Sequence, residues 1–389
     1  WNDKLRPMEF IEVDKQAHKM IVAWLLCRLN SSGADLVRLE EEVIERAMFE
    51  YFFRLVVTDI KPPVYYRIKS NERDFRELAA WALAELEPVL RPLDEGFWQR
   101  MSGHILAPAK EDLAAQILDA AHNYASNWEL SILSSMNRFD PEVPEIEEDF
   151  KRKLEGRRHL NGLPDMLAEG TALGRFARLC GQLRFQKRWS QTPRIPETSV
   201  MGHMFIVACY AWFFSLAVGA CRARRVNNFF SALFHDLAEL LTRDIISPVK
   251  KSFDALERLI HAYEDEELER RVFRPLRGEG YGDLVERLSY YLGQSVGSEF
   301  KECAVLDGKL RESSFEELQE RYNEDAFDPK DGKLIKVCDS IAAFIEAYTA
   351  MRNGISSEEF HQATWRIRSA NARLNLGGVH VGALLADFD

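Results

Sequence analysis

Residues Ala232–Val249 read ALFHDLAELLTRDIISPV, and Ala47–Val64 read AMFEYFFRLVVTDIKPPV. The two segments align without a gap at an offset of 185 positions, and His18–Ala23 (HKMIVA) falls on His203–Ala208 (HMFIVA) at the same offset. Two separate matches sharing one offset mark an internal repeat. A third match, Ile117–Ser131 over Val337–Met351, pairs Asp119 with Asp339 at a longer offset. Apolar residues recur at helical spacing in these segments and in Leu78–Leu90 and Leu334–Tyr348, and no strand-rich region stands out. The sequence therefore predicts an all-α protein built as two copies of one helical domain in tandem.

The copies are unequal in length. Asp244 to Asp339 spans 95 positions where Asp59 to Asp119 spans 60, so the second copy carries 35 extra residues, placed within 263–332. Such a stretch reads as a solvated helix pair or as a lid. Asp140–Glu148 (DPEVPEIEE), with two prolines and an acidic run, interrupts the helical pattern and is expected to begin the connection. The predicted division is a first domain over residues 1–150 and a second over 170–389.

Composition narrows the function classes. With 389 residues, 46% hydrophobic and 29% charged, the chain can bury two ordinary cores, which excludes disordered and disulfide-stapled classes. Its 51 basic and 62 acidic residues leave a net charge of −11, so nucleic acid is not the expected partner, although a local basic pocket can still hold one phosphate group. Six scattered cysteines without a CxxC pair fit reduced thiols in a cytoplasmic protein, and Trp1–Pro7 does not read as a secretory signal. Met204–Cys221 is an uncharged run of 18 residues, near the lower limit for a membrane span. Against a mean hydropathy of −0.28, a buried central helix is the expectation, with no membrane partner.

Chemistry concentrates in the second copy. His203 begins one apolar helix, His235 and Asp236 interrupt another inside ALFHDLAELL, and Asp339 interrupts a third inside LIKVCDSIAAFIEAY. An unpaired imidazole or carboxylate buried in such a face costs several kcal/mol. One shared metal would satisfy all four, and a mixed N/O set suits a divalent Mn, Fe, Co, Ni, Zn or Mg ion. Glu239 lies one helical turn beyond the His-Asp pair, within reach of both. No phosphate-binding glycine loop, GxSxG elbow or HExxH motif is present.

The segment from Arg188 to Lys250 resembles the HD-domain phosphohydrolases, most closely the YfbR-like 5′-deoxynucleotidases. The matching features are Arg188-Trp189, Glu197-Thr198-Ser199-Val200 before His203, HDLAELLTRDIISPVK from His235 to Lys250, and Asp339 in its helix. The resemblance covers about half the chain and implies an HD-like helical fold for both copies. It also implies metal ligands at His203, His235, Asp236 and Asp339, and proton transfer by Glu239. It further implies phosphate binding by Arg188 and Trp189, and placement of the nucleotide or the attacking water by Asp244. Lys250 sits in the matching PVK as a further phosphate contact.

The activity so implied is release of phosphate from a nucleoside 5′-monophosphate by a metal-activated water, with a small-molecule nucleotide as the substrate. A phosphodiesterase acting on a signalling nucleotide or oligonucleotide uses the same centre. A nucleotide-binding regulatory or scaffolding protein is the reading from another class.

At the 185-position offset, His235, Asp236 and Glu239 correspond to Glu50, Tyr51 and Arg54, while Arg188 corresponds to Asp3. Only His18, Asp59 and Asp119 persist. A cation in place of Glu239's counterpart disfavours a metal, so the first copy is expected to be non-catalytic. A fused degenerate copy can stand in for the second subunit of a homo-oligomer as an intrachain pseudo-dimer.

Overall fold

The computed structural model describes the chain except for residues 2, 59, 108–109, 243–253 and 389. It is helical nearly throughout. The first half contains α1 (Glu12–Asn30), α2 (Gly33–Val56), α3 (Pro62–Lys69), α4 (Glu72–Leu90), α5 (Glu95–Leu106), α6 (Leu113–Leu133) and α7 (Glu142–Glu155). Helices α8 (Leu163–Leu167) and α9 (Ala172–Gly181) lead to α10 (Val200–Ala217), α11 (Arg222–Phe234) and α12 (Glu239–Thr242). Then follow α13 (Asp254–Leu268), a π-helical turn (Glu269–Phe273), α14 (Arg274–Gly278) and α15 (Gly282–Tyr291). The chain closes with α16 (Phe315–Glu320), α17 (Gly332–Arg352), α18 (Glu358–Asn371) and α19 (Val381–Ala386).

Two small antiparallel hairpins interrupt the helices: β1 (Cys303–Leu306) with β2 (Lys309–Glu312), and β3 (Asn375–Leu376) with β4 (Val379–His380).

In the first half α1 packs on α2 and α6; in the second α10 packs on α11 and α17. The halves meet through α1 on α10 and α2 on α11. One hydrophobic cluster runs through both halves, from Ala17 to Leu385.

The uncharged run lies mostly in α10, which is long and apolar enough to cross a membrane, yet 67% of it is buried inside the fold. Its face toward α1 is crowded: a Cβ on Gly202 would stand 2.8 Å from Asp14 Oδ1, so the helices touch where a side chain is missing. All six cysteines are free thiols, five of them buried.

Two sequence expectations are corrected. Asp140–Glu148 does not interrupt the helical pattern, since helix α7 starts at Glu142. Pro141 precedes the first turn and Pro144 sits within it, where no intrahelical N–H is yet required. The second correction concerns His235 and Asp236, which do not lie within a helix. α11 ends at Phe234, and bonds from Leu237 N to Phe234 O and from Glu239 N to Asp236 O close tight turns before α12. The His235 ring nitrogen Nδ1 competes for the carbonyl of Ala232 at 2.7 Å, which helps to stop the helix there.

The stretch 263–332 is integrated into the core. Leu284, Val285, Leu288 and Tyr291 are buried in it. Arg224 of α11 donates two bonds to Asp331 at 2.7 and 2.8 Å, with both residues fully buried, and Asn228 adds a third to the same carboxylate. Phe234 is then held between Tyr291, stacked at 6.0 Å, and Trp24 of the first half, edge-on at 5.0 Å. Both halves thus fix the end of α11 immediately before His235.

Candidate metal centre

Each element delivers its side chain for a local reason. Ser199 caps α10, its hydroxyl accepting from the Gly202 N–H at 2.8 Å, so His203 enters in the first helical turns. Just upstream, Arg188 N–H donates to the Thr198 carbonyl at 2.9 Å, and Lys187 bridges Ser199, which sets the Arg188-Trp189 pair beside the start of α10. Trp189 takes a φ of +57°, a conformation that costs an L-residue about 1–2 kcal/mol. Its edge-on contact with Phe360 at 5.2 Å helps impose it.

His203 and His235 are both buried and hold their Nδ1 atoms against acceptors. His203 Nδ1 is 3.0 Å from Glu346 Oε1, and His235 Nδ1 is 2.7 Å from the Ala232 carbonyl. An acceptor at Nδ1 places the proton there, leaving Nε2 with its lone pair in the neutral ring. Those lone pairs face carboxylates. His203 Nε2 lies 3.1 Å from Asp339 Oδ1 and 4.0 Å from Asp236 Oδ2. His235 Nε2 lies 3.2 Å from Asp236 Oδ2 and 3.9 Å from Asp339 Oδ1, with no hydrogen bond of acceptable geometry.

Four electron-rich atoms gathered in a buried place require shared positive charge. With protons alone, burial would lower the pKa of His235, but Asp236 and Asp339 outweigh it and bring it up to about 9. Burial likewise opposes ionisation of Asp236 and Asp339, yet the imidazoles, with Arg188 and Lys336, hold both well below the usual carboxylate range.

A metal cation meets the same demand. Ligand bonds of about 2.0–2.2 Å set neighbouring ligand atoms about 3–3.5 Å apart, close to the spacings seen. The ligand atoms of His203, His235 and Asp236 all lie within 4.8 Å of one another and can hold an ion.

Cations stand on the outer side of each carboxylate. Arg188 Nη1 is 3.5 Å from Asp236 Oδ2 while its Nε donates to Glu346 at 3.2 Å. Lys336 Nζ is 2.9 Å from Asp339 Oδ2 and 4.3 Å from the Phe300 ring centroid. Glu239 is buried, its N–H bonded to the Asp236 carbonyl at 3.0 Å and its own carbonyl accepting from Gln186 at 2.8 Å.

The structure thus brings together Arg188, Trp189, His203, His235, Asp236, Glu239 and Asp339. Asp244 and Lys250 lie outside the described residues.

Residues 180–368 match the family model of the HD domain. Over this segment the chain is similar to the HD domain. No curated protein and no solved structure matches the chain. HD domains are in general metal-dependent phosphohydrolases, and the His/Asp group found here is one that can bind a divalent metal.

Sequence reading missed two residues of this group. Glu346 joins Arg188, Trp189 and His203 through one carboxylate, whose pKa Arg188 and His203 bring down to about 2 against the opposing effect of burial. It lies seven positions after Asp339, two turns along the same helix face, and a carboxylate inside AAFIEAY was the available signal. Lys336, three positions before Asp339, is the other.

In the first half, His18, Glu50, Asp119 and Arg54 have protein partners, and Asp59 lies outside the described residues. His18 Nε2 meets the Ala177 carbonyl at 2.9 Å, Glu50 pairs with Lys19 at 2.7 Å, and Asp119 pairs with Arg157 at 2.8 Å. Arg54 donates to the carbonyls of Val57 and Ile60.

Proposed function

We propose that the HD domain is a phosphomonoesterase that releases phosphate from nucleoside 5′-monophosphates, with His203, His235, Asp236 and Asp339 as its metal ligands. The observation that carries this reading is a set of two buried imidazoles and two half-buried carboxylates with Arg188 at its edge. A divalent ion there supplies positive charge that polarises the phosphoryl group and lowers the pKa of water toward neutrality.

The chain's own groups do the rest. Arg188 presents a planar fork to phosphoryl oxygens, Lys336 adds a second positive charge, and Glu239, one turn from two ligands, manages protons. Glu346 orients His203 from behind and holds the Trp189 N–H.

One observation favours the diester alternative. The Trp189 N–H is already committed to Glu346 at 2.8 Å and Arg188 Nε donates to the same carboxylate at 3.2 Å, so the Arg-Trp pair has fewer donors left for a terminal phosphate. A phosphodiester needs fewer terminal-oxygen donors than a monoester.

The first half is proposed as a non-catalytic, HD-like partner in an intrachain pseudo-dimer. Its support is that equivalent helices meet: α1 on α10 and α2 on α11. An interface made from like elements is the signature of two-fold assembly.

The deciding experiment strips the protein of metal, restores Mn, Co, Mg, Zn or Ni, and measures phosphate release from ribo- and deoxyribonucleoside monophosphates, with His235→Ala as control. Metal-dependent release abolished by His235→Ala is expected. Silence with every monoester, together with turnover of a diester, would replace the monoesterase reading.

A further inference from the structure

Away from the metal centre, a cleft of about 500 Å³ opens between α9 and the π-helical turn. Four arginines line it: Arg175 and Arg178 from α9, Arg270 and Arg271 from the turn. Leu179 and Pro275 supply apolar wall, and no carboxylate is among the lining side chains. In a chain with a net charge of −11 this is a local inversion of sign.

The neighbours neutralise only part of that charge. Arg270 is held by Glu267 through two bonds of 2.7 Å, and Arg175 approaches Glu279 only to 3.9 Å. Arg178 spends its donors on the backbone carbonyls of Ala168 and Glu169, which leaves its charge uncompensated. Arg271 is exposed and makes no hydrogen bond or ion pair among the described residues. Arg178 and Arg271, neither in an ion pair among the described residues, come one from α9 and one from the turn.

The π-turn is a second, independent sign. A π-helical turn is a rare insertion in a helix and frequently marks a functional site. Here it contributes both Arg270 and Arg271 to the cleft.

We propose that this cleft is a second, non-catalytic binding site for a condensed phosphate chain, such as that of a nucleoside di- or triphosphate. A chain of two or three phosphates carries several negative charges to set against the guanidinium groups of both elements. The volume falls in the range of small-molecule sites, and Leu179 with Pro275 gives a nucleoside an apolar surface. None of the candidate metal ligands lines it, so the site stands whether or not the monoesterase reading holds.

The test uses the full chain carrying Asp236→Ala, so that the metal centre is disabled, with chelator present. ATP, GTP and inorganic triphosphate are titrated calorimetrically. Saturable binding of at least one is expected, weakened at least tenfold by Arg271→Glu and by Arg270→Glu, both at exposed positions, with unchanged circular dichroism. Tighter binding of the nucleotides than of triphosphate assigns the apolar wall to a nucleoside, and equal binding assigns the site to the phosphate chain alone. Binding untouched by both charge reversals, or no binding of any of the three, overturns the proposal. Phosphate release by the unmodified protein is measured separately, so failure here and failure of the monoesterase reading are distinct results.

Discussion

The indole N–H of Trp189 donates to Glu346 Oε2 at 2.8 Å, and the other oxygen of that carboxylate stands 3.0 Å from His203 Nδ1. One side chain therefore ties the Arg-Trp segment to a candidate metal ligand. Replacing such an outer partner costs a metal site about 10–100-fold in affinity. Glu346→Gln keeps the shape and removes the charge, so a metal affinity about tenfold weaker is expected with the fold intact. Metal titration of the stripped protein reads it directly, and an affinity equal to that of the unmodified chain would assign Glu346 a packing role only.

Trp24 belongs to the first half, where no group able to hold a metal is found among the described residues, yet it touches Phe234 next to His235. It is fully buried. Trp24→Ala leaves a cavity worth about 3–5 kcal/mol, and some of that strain falls on the end of α11. Metal affinity should fall along with the melting temperature. A variant that melts earlier but binds metal with unaltered affinity would separate the two halves functionally.

The pH dependence of stability has an identifiable contributor at the junction of the halves. Asp14 accepts a 2.5 Å bond from Ser199, 185 positions away, and burial pushes its pKa up to about 6 from an ordinary 3.8. A carboxyl whose folded pKa is raised stabilises below the unfolded pKa, and that contribution is lost as pH rises through the folded value. The window is therefore about pH 4–6, and at one pKa unit per 1.36 kcal/mol the loss is at most about 3 kcal/mol. Asp14→Asn should raise the melting temperature at pH 7 and give little or no gain at pH 4. An equal shift at both pH values would remove Asp14 as the source.

Much of this was legible in the sequence because the signals were periodic or chemically costly. The helical class followed from apolar spacing, and α10 from a run too apolar to be left exposed. That His203, His235, Asp236 and Asp339 would gather could be expected because ionisable groups interrupt apolar faces, where they need partners. What stayed hidden depends on backbone detail and distant contacts. Nothing local told that α11 stops at Phe234, since the stop comes from His235 taking a carbonyl and from Tyr291 and Trp24 pinning the end. Asp140–Glu148 misled because prolines in a first turn look like breakers in a linear reading. Glu346 was missed because its partners are about 150 residues away in the chain.

Glu239 offers the sharpest division between binding and chemistry. It sits one turn after Asp236 and is buried, but none of the imidazole nitrogens depends on it for a hydrogen bond. Removal should leave the ligand atoms where they are. A proton-transfer group contributes about 10²–10⁴-fold to rate, so Glu239→Ala should keep metal stoichiometry and lose turnover by that factor. Glu239→Gln should behave alike, because the amide preserves shape and cannot exchange the proton. Equal loss of metal and turnover would make Glu239 a support for the ligands, and retained turnover in either variant would move proton transfer to another group.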